Sequence, residues 1–421
     1  MSSAAERKTK WVPAPRPEWV QRINEEGYCM NSRGVVPLDP DSLIHSAMLA
    51  TGLSDFGADE WREPFAMLCQ SMDEDAELNL MGRIRTRSEI LQLLEARLHV
   101  EDWYKRHPEI DQEVIKEPMI VIGQGRSGTS FLVNLLAADP NNGALRTWEA
   151  IFPCPPPEKK TYFSDPRIQA GHLLTDQWNR VTPEIASMHE FAGLLPMECP
   201  IIMGMSFMSP SWFSSLGQCI GYLQYCNSAD PAIAYDYHKR VLKLLQWRNP
   251  RKHWVLKAVW HLDMLPTVVK TYPDAFVIWP HRDPVRSLAS GLNIVGTIHW
   301  GRSDHPFKND TFDFVQDSKA AAQRLNAGID AIESGIVPKA QLFNLLYTEL
   351  VADPLGMIQK LYAYFGVKLT PAGRDGIVQY LHESPRSGRP VHRFQVGPRE
   401  VVDADRVAFK RYQDYFGVAN E

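Results

Sequence analysis

What this chain lacks narrows its class before any motif is read. It has no excess of positive charge: 45 Lys and Arg stand against 50 Asp and Glu, a formal net charge of −5. That argues against nucleic acid as the main partner, because neutralising phosphates takes clustered Lys and Arg. Its six cysteines (29, 69, 154, 199, 219 and 226) include no Cys-x-x-Cys pair and no zinc-type spacing, and no signal-like apolar segment follows Met1, so the expected compartment is the cytoplasm. Unbroken apolar runs are missing too. The stretch Cys199 to Ala229 carries no charge, but Pro200, Gly204, Pro210, Gly217 and Gly221 interrupt it too often for a spanning helix, and it reads as buried or pocket-lining protein. There is no internal repeat and no low-complexity tract. The 421 residues, 44% hydrophobic and 23% charged, suit a soluble globular protein of one large or two ordinary domains.

Three regions follow from the pattern. Residues 1–38, rich in Pro and charge, read as an extended N-terminal arm. Residues 39–116 read as helical: Asp39-Pro40 caps a helix ending near Gly52, a second runs over 59–72, and a third carries Leu91, Leu94 and Leu98 on one face before Pro108. From 117 to 421 the pattern alternates β and α. It predicts strands at 119–122, 253–257, 275–279 and 341–346, and helices at 129–138, 285–293, 354–365 and 403–415. The fold class is therefore α/β, a P-loop-type parallel sheet flanked by helices, with the helical region packed on it. Ligands of such sheets bind at the carboxyl ends of the strands.

Two motifs stand at such ends. In Pro118-Met-Ile-Val-Ile-Gly-Gln-Gly-Arg-Ser-Gly-Thr-Ser-Phe-Leu-Val133 a strand passes through a Gly-rich turn into a helix, which aims backbone N–H groups and a positive helix end at one point. Gly123 and Gly128 have the P-loop spacing and Ser130 fills its Ser/Thr slot, but Thr129 stands where the Lys belongs and the basic residue is Arg126. This is not the pattern of an ordinary nucleotide triphosphatase. In the second motif, Ala275-Phe-Val-Ile-Trp-Pro-His-Arg-Asp-Pro-Val-Arg-Ser-Leu-Ala-Ser290, Arg282 sits at a strand end where its planar fork suits a second phosphate. Asp283-Pro284 starts the next helix, and Ser290 follows just over two turns later.

The pair of motifs, in this order and with this Arg-to-Ser spacing, resembles the PAPS-dependent sulfotransferases, closest to bacterial members with an N-terminal helical extension. Trp254-Val-Leu-Lys-Ala-Val-Trp-His-Leu262 and Tyr347-Thr-Glu-Leu-Val-Ala-Asp-Pro354 resemble further family segments, and Glu383-Ser-Pro-Arg-Ser-Gly-Arg-Pro390 resembles its basic loop. The resemblance covers about residues 118–400. It implies transfer of a sulfuryl group from PAPS (3′-phosphoadenosine 5′-phosphosulfate) to a hydroxyl, by in-line displacement with a general base and no metal. It places Arg126 at the sulfuryl group and the bridging oxygen. Gly125, Ser127, Gly128, Thr129 and Ser130 fall at the 5′-phosphate and Phe131 against adenine, with Lys257, at its strand end, a further cofactor-binding residue. Arg282 and Ser290 fall at the 3′-phosphate.

A hydroxyl acceptor must lose its proton as it attacks. Glu149, shortly after the P-loop helix and an expected second strand, is the first candidate base, its bland alternative being an ion pair with a nearby Arg. His261, four residues after Lys257, is its rival, and His189 with Glu198 forms a third option. The Met- and aromatic-rich run from Met203 to Phe213 is either core or an apolar acceptor pocket, and the uncharged segment 199–229 around it suggests a lipophilic small-molecule acceptor. A P-loop kinase-like phosphotransferase and a catalytically silent nucleotide-binding protein are the alternatives.

Overall fold

Five short strands build the centre of the computed structural model, which describes residues 11–308, 317–384 and 394–421. They are β1 (Met119–Val121), β2 (Asn142–Ala144), β3 (His253–Lys257), β4 (Phe276–His281) and β5 (Leu342–Leu346), in the order β2-β3-β1-β4-β5. Every pairing is parallel. Alternate side chains serve opposite faces, as strand geometry requires. Ile120, Ile122, Leu256 and Val277 join one buried cluster with Leu68 and Leu94 of the N-terminal helices. Met119, Val121, Val255 and Ile278 join another with residues of helices Thr129–Ala137 and Pro354–Tyr364. Helices cover both faces, which is why the central strand β1 and the middles of β3 and β4 read as apolar runs.

Register places the functional loops. β1 sits between β3 and β4, with Ile120 opposite both Leu256 and Val277. Its pairing with β4 ends at Val121↔Ile278, whereas β4 runs on beside β5 to His281. The extra length carries Arg282 past the rim, beside the turn that follows β1.

Several expectations change in detail. The arm is not extended throughout: Glu18–Tyr28 is helical and buries Val20 in a small cluster with Met81 and Val181. Its charge belongs to the other helix face. Pro40–Thr51 carries the anticipated caps, with Asp39 accepting from Ser42 N and Gly52 left-handed at φ 70°. The helix expected at 285–293 continues as Pro284–Trp300 through Gly296, where a Cβ would lie 2.7 Å from Phe307 and 3.0 Å from Trp11. That glycine marks close packing, not a helix end. The uncharged stretch folds into the short helices Pro200–Met203, Pro210–Leu216 and Ile220–Ser228. Among the described residues no helix is long and apolar enough to cross a membrane.

Candidate active site

The turn between β1 and helix Thr129–Ala137 is wound tightly by three left-handed residues, Gly123 (φ 115°), Arg126 (φ 70°) and Gly128 (φ 92°). Gly128 has a second reason to lack a side chain, since a Cβ there would lie 2.5 Å from the Tyr347 ring. Ser127 ties the turn to itself by donating to the Gln124 carbonyl at 2.7 Å. Arg126, which holds this conformation without being glycine, carries a strain of about 1 kcal/mol or more. Such strain persists where the surroundings hold it. Here the Arg126 guanidinium donates to the Met188 carbonyl at 2.7 Å and to Ser290 Oγ at 3.0 Å.

Beside this turn is a cleft of about 260 Å³. Arg126, Gly128, Thr129, Ser130 and Phe131 line it, as do Lys257 and Arg282. Gly125, Ser127 and Ser290 are not in its wall; Ser290, on helix Pro284–Trp300, reaches it through Arg126. Lys257 ends β3, and its buried ammonium donates to Ser130 Oγ at 2.8 Å and pairs with Glu198 at 2.8 Å. Lys257 thus supplies from a neighbouring strand the charge that Thr129 leaves out of the loop. Arg282 Nη1 donates to the Arg126 carbonyl at 3.1 Å, and its guanidinium stacks 4.2 Å from the Tyr347 ring centre. Three cations and a helix N-terminus therefore converge on one turn. Burial and then the neighbouring Arg282 charge lower the Arg126 pKa. Burial also opposes the charged form of Arg282, but its hydrogen bonds to the Glu421 carboxylate and the negative groups around it together outweigh that, and the pKa is raised.

The candidate bases separate sharply. Glu149 follows β2 inside the short helix Thr147–Ile151, fully buried, and pairs with Arg251 through hydrogen bonds of 2.6 and 3.2 Å. It also accepts from Arg146 N–H at 2.9 Å. Both its oxygens are engaged and it does not line the cleft, so the structure gives it the ion-pair role. Breaking a buried pair leaves an uncompensated charge, so Glu149→Ala is expected to cost roughly 3–5 kcal/mol of stability, checked by denaturant unfolding. His261 is also buried: Tyr235 Oη lies 2.8 Å from Nδ1, and Nε2 has no hydrogen-bond partner among the described residues. Burial pushes its pKa down to about 3, with Glu198 opposing, and it too stands outside the cleft wall.

The third option adjoins the cleft, Glu198 from outside its wall through Lys257. His189 lines the cleft, its pKa pushed down to about 4 by burial first and then by the Lys257 charge, against Glu198. The Glu198 side chain keeps about 35% of its surface exposed while paired to Lys257. Burial raises its pKa, yet the charge and hydrogen bond of Lys257 outweigh that and hold it below the usual carboxylate range.

Three participants escaped the sequence reading. Tyr347 had a signal, since it follows directly on the carboxyl end of β5. The Met188 carbonyl and Glu421 had none, their approach being purely tertiary. Of the two readings of the Met203–Phe213 run the structure takes the core one: Met203, Met205, Phe207, Met208 and Phe213 are buried, and Met188, Leu195, Pro196 and Met197 are among the apolar residues lining the cleft. Of the expected basic loop at 383–390, residues 385–390 lie outside the described residues.

Known proteins share this fold. Relatives in Mycobacterium bovis and Mycobacterium tuberculosis, each named omega-hydroxy-beta-dihydromenaquinone-9 sulfotransferase Stf3, are 21% identical over 329 residues, covering 72% of this chain and 78% of theirs. The crystal structure of sulfotransferase STF9 from Mycobacterium avium is similar with a TM-score of 0.79 and 25% identity, over 91% of this chain and 97% of that one. That of STF1 from M. tuberculosis gives 0.74 and 28%, over 88% and 98%. The profile of the Sulfotransferase family matches residues 118–371, from the strand before the Gly-rich turn to the start of helix Pro371–Glu383; this chain belongs to the sulfotransferase family.

Proposed function

We propose that the chain transfers a sulfuryl group from PAPS to a hydroxyl of a small lipophilic acceptor. The observation that carries the donor is the approach of Arg282 to the Arg126 carbonyl at 3.1 Å. It puts two anion grips, from separate strand ends, within reach of one nucleotide. The residues fit such a ligand: three cationic side chains and a helix N-terminus face the cleft. Arg126, Gly128, Thr129, Ser130 and Lys257 would hold the phosphosulfate end, with Gly125 and Ser127 shaping the turn. Phe131 would lie against the base, and Arg282 with Ser290 would hold the 3′-phosphate. PAPS, when bound, supplies the sulfuryl group and a stable bisphosphate leaving group.

The protein's own contribution is electrostatic and positional. Arg126 and Lys257 stabilise the charge that grows on the bridging oxygen as its bond to sulfur breaks. Glu198 takes the proton from the acceptor oxygen as that oxygen bonds to sulfur, and His189 stands beside it. Glu198 is chosen over Glu149 because it is partly exposed and adjoins the loop through Lys257. For the acceptor, support comes from the apolar wall of Met188, Leu195, Pro196 and Met197 and from the mycobacterial relatives, named for a hydroxylated menaquinone.

Calorimetric titration tests the donor. Adenosine 3′,5′-bisphosphate is expected to bind at least about tenfold more tightly than ADP, since one charge-assisted phosphate grip is worth about 1.5–3 kcal/mol. Equal affinity for the two, or tighter ADP binding, would sink the assignment.

A further inference from the structure

The anion grip at Arg282 already holds a carboxylate from its own chain. Glu421 Oε1 accepts from Arg282 Nε at 2.9 Å and Oε2 from Nη2 at 2.8 Å. Arg286, one helical turn along, brings its Nε to 3.7 Å from the same Oε2. That contact is an ion pair but too long for a hydrogen bond, and the buried Nε of Arg286 has no hydrogen-bond partner among the described residues. The segment delivering Glu421 is firmly seated. Glu421 N–H donates to Asp283 at 2.8 Å, Arg406 holds the same carboxylate at 2.7 Å, and Phe416 stacks on His281 with ring centres 3.7 Å apart.

We propose that Arg282 and Arg286 form one phosphate seat, and that Glu421 occupies it in competition with the 3′-phosphate of the cofactor. The inference rests on the proposed assignment of Arg282 to that phosphate. A carboxylate has two oxygens in one plane, which satisfy one edge of a guanidinium and leave Arg286 short of a partner. A phosphate brings a further oxygen and a second negative charge, enough to engage both arginines. Arg282 need not move to accept it, because its Nη1 stays on the Arg126 carbonyl. Glu421 therefore tunes selectivity: a nucleotide with a 3′-phosphate must displace it, and one without need not.

The test is calorimetry on the full chain with adenosine 3′,5′-bisphosphate and with AMP. Glu421→Gln removes the competing charge and is expected to tighten bisphosphate binding about tenfold while leaving AMP unchanged. Arg286→Gln is expected to weaken bisphosphate binding by about the same factor, again without effect on AMP. Unchanged or weaker bisphosphate binding in Glu421→Gln would overturn the competition, Glu421 then merely orienting Arg282. Wild-type binding in Arg286→Gln would overturn the second arginine. Arg282→Ala separates this from the underlying assignment. If it retains the wild-type preference for bisphosphate over AMP, the assignment itself fails; if it loses that preference while the other two variants bind as wild type, only the present inference fails.

Discussion

Replacing Arg126 with alanine is expected to lower turnover by about a thousandfold, the upper end of what removing one donor to a developing oxyanion costs. The reason is where this side chain stands. It leaves a strained turn, lines the cleft, and spends its donors on a carbonyl and a hydroxyl that an anion can replace. Burial and the Arg282 charge both work against its charged state, and an incoming anion relieves both. Its gain is therefore largest when most negative charge has collected at the loop, which is in the transition state. Bisphosphate affinity should fall far less than turnover. Arg126→Lys, which keeps the charge but not the planar fork, is expected to recover part of the loss. A raised KM with unchanged kcat would show instead that Arg126 only binds the ground state.

The second large effect concerns Glu198. Glu198→Gln is expected to lower kcat/KM by about a thousandfold, within the usual range for a positioned general base, while bisphosphate binding persists. The pH dependence carries a sign that can be checked. The Glu198 pKa is held below its ordinary value, so the carboxylate is ionised at neutral pH. Activity should then fall only as pH drops through that lowered value. The same lowering means that the pair with Lys257 stabilises the fold above the ordinary carboxylate pKa, and that this contribution is lost as pH falls through the folded-state one. Glutamine abolishes both effects. If the variant stays within tenfold of wild type, or keeps the acid limb, Glu198 is not the base and His189→Ala becomes the decisive variant.

Much of the architecture was legible because it rests on local rules. A parallel strand buried on both faces is an apolar run, and β3, β4 and β5 were each placed to within a few residues. The helix starts at Asp39-Pro40 and Asp283-Pro284 were readable because the cap and the first-turn proline sit in sequence beside the helix they begin. The residues at strand ends, Arg126, Lys257 and Arg282, could be named as candidates because a parallel sheet sends such positions to one rim. Failures arose where a local signal had two tertiary solutions. The charged segment before residue 39 suggested an extended arm, yet Val20 found a small apolar cluster and a helix formed there. The helix expected over 285–293 ran on to Trp300, Gly296 admitting the close approach of Trp11 and Phe307.

By itself the sequence determined most of the sheet, its parallel sense, and the two turns at its rim, because each depends on periodicity, glycine spacing and capping over a few neighbouring residues. Only the tertiary structure decided the fate of the carboxylates. Glu149 was drawn into a sealed pair with Arg251, Glu198 was set beside Lys257, and Glu421 was brought onto Arg282. An acidic side chain carries no local mark of its partner. Which cation it meets is fixed by how helices and strands distant in the chain pack together, and that packing separates a carboxylate held for stability from one left where chemistry can use it.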